Sequence, residues 1–160
     1  MEKKQLLKLF EIQIEQVLST LLLSAKEAHA AATHAESKAE DQYDTRGLEA
    51  SYLAGAQSRR ALELGQTLDM YRFIDVKTFA ANDPIVATAL IELHNEEGRA
   101  THYLLMPSGG GMSVTWEGKR VQCITPQSPL GEALLGKRRG DDVTVRVDGQ
   151  DRDYEIVAVH

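Results

Sequence analysis

The chain has 160 residues, of which 42% are hydrophobic and 26% are charged, and its formal net charge is −6. This composition is typical of a folded globular protein and excludes a disordered chain. The negative charge argues against tight direct binding to duplex DNA, because Lys and Arg supply most of that affinity by neutralising phosphates. We therefore expect any contact with nucleic acid to be made through a partner protein.

No apolar run approaches the roughly 20 residues that a membrane-spanning helix needs. The charged N-terminal residues lead into an amphipathic segment rather than into an apolar leader. We therefore expect a cytoplasmic protein without membrane contact. The single cysteine, Cys123, cannot form an intramolecular disulfide and lies in an apolar strand pattern, which predicts a packed thiol rather than a nucleophile.

Two segments in the first half have apolar residues at spacings of three and four, which predicts two amphipathic helices. The first covers about 3–35 and forms a heptad seam, with Ser24 as its one polar member. The second covers about 45–72 and is interrupted only by Gln57. The apolar positions of the two stripes are Leu7, Phe10, Ile14, Val17, Leu21, Ala28 and Ala31, and then Leu53, Ala61, Leu64, Leu68 and Tyr71.

The stretch between these helices, 34–44, is polar and dense in charge, and the midpoint of the whole span lies near Ser37. The pattern predicts an antiparallel helical hairpin, a coiled coil over residues 1–74. Each arm would be about 40 to 50 Å long at 1.5 Å per residue.

After residue 72 the period changes to that of β-strands, separated by Gly, Pro and charged turns. One short helix, 130–135, is predicted to end at Gly136. The predicted fold class is α+β, with the hairpin at 1–74 and a sheet domain at 75–160. The predicted strands are 73–76, 85–93, 100–106, 119–124, 143–147 and 154–159.

An ordered set of motifs in the second half resembles the C-terminal domain of the GreA/GreB family. A Ser-Pro pair begins a short helix, Leu-Gly-Lys ends it, and a Gly-Asp turn leads into a strand. The resemblance implies an FKBP-like antiparallel β-sheet domain behind a coiled-coil hairpin. It also implies that RNA polymerase is the partner, and we assign its contacts to Ser128, Pro129, Leu130 and Lys137.

In that family the hairpin enters the secondary channel of the polymerase, where acidic residues at its tip help to hold a second Mg²⁺ and stimulate cleavage of backtracked RNA. Segment 36–44 carries four acidic residues against one lysine. Carboxylates suit this role because Mg²⁺ prefers hard oxygen ligands. We therefore assign the tip chemistry to Glu36, Glu40 and Asp41.

The catalytic centre in this reading belongs to the polymerase, so the chain would not itself be an enzyme. It would have no cofactor or metal site of its own, sharing Mg²⁺ only within the complex. It would be a monomer and would meet the nascent RNA indirectly. His94 and His102 are expected to face each other across a hairpin, but no third ligand follows from the sequence, so no histidine metal site is predicted.

Two alternatives stay open. Aligned with the family on Tyr43, the chain has Glu36 at the family's Asp position, Ala39 at its Glu position and Glu40 one residue further on. The first alternative is therefore a Gre-like regulator that occupies the same channel without cleavage activity and inhibits or modulates transcription. The second is an interaction protein whose hairpin dimerises as a coiled coil.

Overall fold

A computed structural model describes residues 2–33 and 46–160, with the side chains of 3–27, 29–30 and 55–160. These residues divide between a β-rich unit, Met1–Phe10 with Phe73–His160, and a helical unit, Glu11–Arg72. The predicted domain boundary at 74/75 stays a prediction. The elements in chain order are α1 (Glu2–Thr33), α2 (Arg46–Phe73), β1 (Leu90–Asn95), β2 (Ala100–Leu105), β3 (Ser113–Trp116), β4 (Lys119–Ile124), α3 (Pro129–Leu134), β5 (Asp142–Val147) and β6 (Gln150–Val159).

The helical unit contains most of the two long helices that the apolar spacing predicts. Near the end of α2, Arg72 Nη2 lies 2.6 Å from Glu15 Oε1 of α1, as expected for antiparallel helices. The coiled-coil geometry stays a prediction, and the side chains of Ala28, Ala31 and Leu53 lie outside the described residues. Among the described side chains of this unit, the buried ones are Ile14, Ala25, Ala61, Leu68 and Tyr71.

The predicted heptad register on α1 is correct at Phe10 and Ile14 and wrong at Val17. Phe10 and Ile14 are fully buried, whereas Val17 is 43% exposed. Ala25 is buried, while its neighbour Ser24, which the predicted register includes, is only partly buried. A straight helix has 3.6 residues per turn, so its buried face drifts away from a strict seven-residue repeat.

The second half forms one six-stranded sheet in the order β3-β4-β2-β1-β6-β5. Four of its five strand pairs are antiparallel, as predicted, but β2 and β4 are parallel, so the sheet is mixed. The cause is β3, a strand that the sequence analysis missed. It pairs with β4 as a hairpin, and this extra reversal gives β4 the same direction as β2.

Two further strand predictions are wrong in part. Phe73 is the last residue of α2 and is 81% exposed, and residues 74–76 belong to no strand. The predicted strand 85–93 begins only at Leu90, although Ile85 and Ala89 are fully buried. The apolar pattern therefore predicted buried residues correctly, but a buried residue need not belong to a strand.

The β-rich unit buries apolar residues on both faces of its sheet. Along β1, Ile91 and Leu93 enter the core that Leu134 of α3 completes. Cys123 is fully buried, so the packed thiol is confirmed. Leu6, Leu7 and Phe10 of α1 are also buried. No helix within the described ranges combines the length and apolarity that crossing a bilayer requires.

Candidate functional site

The short helix α3 is positioned by its own sequence. Ser128 is its N-cap: its Oγ accepts a hydrogen bond from Gly131 N at 3.1 Å and donates one to Thr125 O at 2.7 Å. Pro129 occupies the first turn, where its missing N–H costs nothing. The predicted helix is therefore confirmed, with Pro129–Leu134 as its bounds.

The end of α3 is fixed by Gly136, whose φ of +79° suits glycine. Gly136 N donates to Ile85 O at 2.8 Å, and Ile85 N donates to Lys137 O at 2.7 Å. The predicted helix end is thus tied to the chain before β1. Lys137 makes its contact here through its backbone carbonyl.

Gly131 has a role that the sequence analysis did not assign to it. A Cβ added there would overlap with the carbonyl group of Thr125 and come within 3.0 Å of Ser128 Oγ. The turn before α3 therefore packs directly against the backbone of the helix. This close approach holds Ser128 and Pro129 at the end of the sheet.

A cleft of about 500 Å³ opens beside the N-terminal end of α3. Three of the four residues assigned to partner binding, Ser128, Pro129 and Leu130, line it, whereas Lys137 does not. The assignment of all four to a partner stays a prediction. The rest of the lining includes Tyr103, Gln122, Ile124, Val145, Arg146, Val147, Asp148, Arg152 and Tyr154.

The cleft is lined by apolar and aromatic side chains together with two arginines. Burial raises the pKa of Tyr103, so its phenol stays protonated at neutral pH and can donate a hydrogen bond. Arg146 and Arg152 lie on the β5–β6 hairpin. Clefts with aromatic anchors and arginines are typical of protein–protein recognition. Asp148 also lines the cleft, and Arg146 Nε lies 3.7 Å from Asp151 Oδ1.

The tip acids Glu36, Glu40 and Asp41 lie outside the described residues, since α1 ends at Thr33 and α2 begins at Arg46. Their placement at the end of a hairpin stays a prediction. Within the part of the chain that the structure describes, no group of three or more His, Cys, Asp and Glu side chains is arranged to hold a metal ion.

Glu92 lies between the two histidines that were expected to face each other. Its Oε1 is 3.1 Å from His94 Nε2 and its Oε2 is 3.3 Å from His102 Nε2. Burial acts to raise the pKa of Glu92, but the hydrogen bond with His94 and the charges of His102 and Lys119 hold it below its usual value. Strand register explains the arrangement, since Glu92 pairs with His102 across β1 and β2.

Two long helices, followed by a mixed sheet whose capped helix borders a cleft, define an α+β protein. A model described as transcription elongation factor, GreA/GreB, C-terminal, matches residues 87–160. The transcription elongation factor GreA of Thioalkalivibrio sulfidiphilus is 35% identical over 127 residues, covering 79% of this chain and 74% of that protein. The GreA of Syntrophus aciditrophicus is 32% identical over 137 residues, covering 84% and 78%.

The chain therefore belongs to the GreA/GreB family of transcription elongation factors. A crystal structure of GreA factor homolog 1 of Thermus thermophilus aligns over 94% of each chain at 22% identity and a TM-score of 0.39. That score is too low to add to the assignment, which stands on the curated relatives.

Proposed function

We propose that this chain binds RNA polymerase in the cytoplasm, places the tip of its helical hairpin in the secondary channel and stimulates cleavage of backtracked transcripts. The observation that carries the proposal is the match to two GreA proteins over 79% and 84% of this chain. A match of that extent includes helical residues as well as the sheet, so the likeness is not confined to the C-terminal half.

Glu36, Glu40 and Asp41 would assist the polymerase and would not act as a separate active site. Mg²⁺ keeps several waters and needs only one or two carboxylates when another molecule supplies the remaining ligands. The chain would then need no cofactor of its own, and nascent RNA would be reached only through the polymerase.

A cleavage assay on a stalled, backtracked polymerase complex tests this role. Glu36→Ala and Glu40→Ala should each lower the rate of transcript shortening by about tenfold or more, the size expected when a group that stabilises transition-state charge is lost. Glu63→Ala is the matched control, since Glu63 is an exposed acid on α2 whose Oε2 lies 3.8 Å from Arg60 Nη1. Shortening at the parent rate in both tip variants would contradict the assignment.

The second candidate is a Gre-like regulator that occupies the channel without cleavage. Ala39 favours it, because the aligned family position carries a carboxylate and alanine cannot bind Mg²⁺. In the same assay, polymerase binding by the parent chain with no shortening, together with altered transcript yield, would select this candidate. A dimeric mass with no recovery of polymerase would instead favour a coiled-coil interaction protein.

The cleft beside α3 is our candidate for the polymerase contact. Arg152→Glu should weaken polymerase binding by about tenfold, since reversing a charge at an interface opposes a complementary partner. Arg152 is exposed, so the substitution leaves the core intact. Arg99→Glu is the matched control, because Arg99 lies in the turn between β1 and β2, away from the cleft lining, with its side chain 76% exposed. Equal affinities of the two variants, measured by surface plasmon resonance, would exclude the cleft.

A further inference from the structure

A second and larger cavity, of about 740 Å³, lies within the β-rich unit. Its walls come from the first turn of α1, from residues 76–79 and from strands β1 to β4. Leu90 and Glu92 of β1 line it, whereas Ile91 and Leu93 enter the core beneath α3. Successive side chains of a strand point to opposite faces, so this cavity and the α3 core are on opposite sides of the sheet. Its volume is in the range of small-molecule sites.

Lysines supply the positive charge of this cavity. Lys3, Lys4, Lys77 and Lys119 all line it, and no arginine is among the described lining residues. Two carboxylates, Glu92 and Glu117, also belong to the lining. Glu92 is engaged with His94 and His102, and Glu117 is exposed in the β3–β4 turn. The lysines of the lining therefore outnumber its carboxylates by four to two.

Two of the lysines are held in place before any ligand arrives. Lys3 Nζ donates to Lys77 O at 2.6 Å and to His160 O at 2.8 Å, and it lies 4.6 Å from the centre of the Phe79 ring. Lys77 Nζ lies 4.8 Å from the same ring centre and 3.5 Å from Asp83 Oδ2. Contacts of this kind reduce the entropy that a ligand would otherwise have to remove.

The backbone at Lys77 is fixed from a second direction. Lys77 N donates at 3.0 Å to Oγ1 of Thr88, a buried residue with φ of +71°. A β-branched residue rarely adopts this conformation, so its surroundings must hold it there. The segment that carries Lys77 and Phe79 is thus attached to the sheet rather than free to fold away from it.

The two lysines repel each other electrostatically. The pKa of Lys3 is lowered to about 8, first by burial and then by the charge of Lys77. An anion between their ammonium groups would remove this repulsion. A lysine ammonium is a compact point charge with three donors, and lysines bind phosphate groups in this way in many proteins. Trp116 also lines the cavity, and planar rings stack on aromatic side chains of this kind.

We propose that this cavity binds a small phosphorylated molecule with a planar ring, of the nucleoside monophosphate class, with the phosphate at Lys3 and Lys77 and the ring on Trp116. The site is independent of the cleft beside α3, since the two cavities share no described lining residue. A small molecule bound in this cavity would be a second ligand, besides the macromolecular partner that the family role implies.

The chain contains one tryptophan, so its fluorescence reports directly on this cavity. The probes are adenosine monophosphate, adenosine and inorganic phosphate. We expect a saturable fluorescence change with adenosine monophosphate, and binding weaker by about tenfold or more for each of the other two, because each lacks half of the recognised groups. No saturable response to adenosine monophosphate would overturn the proposal, and so would equal affinity for either smaller probe.

Variants distinguish binding in this cavity from non-specific attraction of an anion to exposed lysines. Lys3→Gln should weaken adenosine monophosphate binding by about tenfold, whereas Lys26→Gln, the same change at an exposed position on α1, should leave it unchanged. If Lys3→Gln does not fold, Lys119→Gln serves, because Lys119 is exposed on β4, and it should also weaken binding. Equal losses in the Lys26 and cavity variants, or none in the cavity variants, would overturn the proposal.

Discussion

At the scale of single residues, Gly131 shows how one missing side chain positions a cleft. A Cβ at Gly131 has no space beside the carbonyl of Thr125. Gly131→Ala should therefore lower the free energy of unfolding by about 1–3 kcal/mol, the usual cost of inserting atoms into a packed site. Urea unfolding followed by Trp116 fluorescence measures it. A variant as stable as the parent would mean that the turn before α3 moves aside at little cost.

Lys3 gives a second prediction at this scale, for pH dependence. The pKa of Lys3 is about 8 in the folded chain, against an ordinary value of 10.5. As the pH rises, the folded state therefore loses the Lys3 proton before the unfolded state does. Below pH 8 the buried charge costs stability, and this cost is relieved as the pH rises from 8 towards 10.5. The stability of the parent relative to Lys3→Gln should therefore increase over that window. Denaturant unfolding of both proteins across that window checks this, and a constant difference would contradict it.

At the scale of elements, α2 contains a glycine that packing does not require. Gly65 lies inside the helix, and a Cβ added there would meet nothing within 4 Å. Gly65→Ala should raise the free energy of unfolding by about 0.5–1 kcal/mol, because alanine loses less conformational freedom in a helix. The helical circular dichroism signal during thermal unfolding is the readout. The change in the free energy of unfolding should be opposite in sign to that of Gly131→Ala. A loss of stability would mean that Gly65 makes a close contact that alanine disrupts.

The secondary-structure elements also show which features the local sequence can predict. The start of α3 at the Ser-Pro pair and its end at Gly136 follow from residues within one turn, and both were predicted correctly. The parallel β2–β4 pair and the position of Glu92 between two histidines depend on which strands pair, and in what register. Tyr103 and Arg152 of the cleft were missed for the same reason. The tip acids were chosen from charge and family likeness, and the described residues do not include them.

At the scale of the whole molecule, the β-rich unit is made from two distant parts of the chain. Leu6 is fully buried and belongs to this unit, more than one hundred positions before Trp116. Leu6→Ala should therefore destabilise the unit by about 2–5 kcal/mol, as buried leucines do, with the loss visible in Trp116 fluorescence. Leu22→Ala is the control, since Leu22 is 54% exposed and should change stability by less than about 0.5 kcal/mol. Equal effects would show that residues 1–10 do not support the sheet.

The strand order has a consequence for synthesis on the ribosome. β6 follows the other five strands of the sheet in sequence, yet it lies between β1 and β5. Until β6 leaves the exit tunnel, β1 lacks one neighbour and β5 has none. The nascent protein therefore carries an open sheet edge from the emergence of β1 until that of β6, and such edges invite pairing with other chains. Chaperone contact would be most valuable in that interval, before β6 closes the gap.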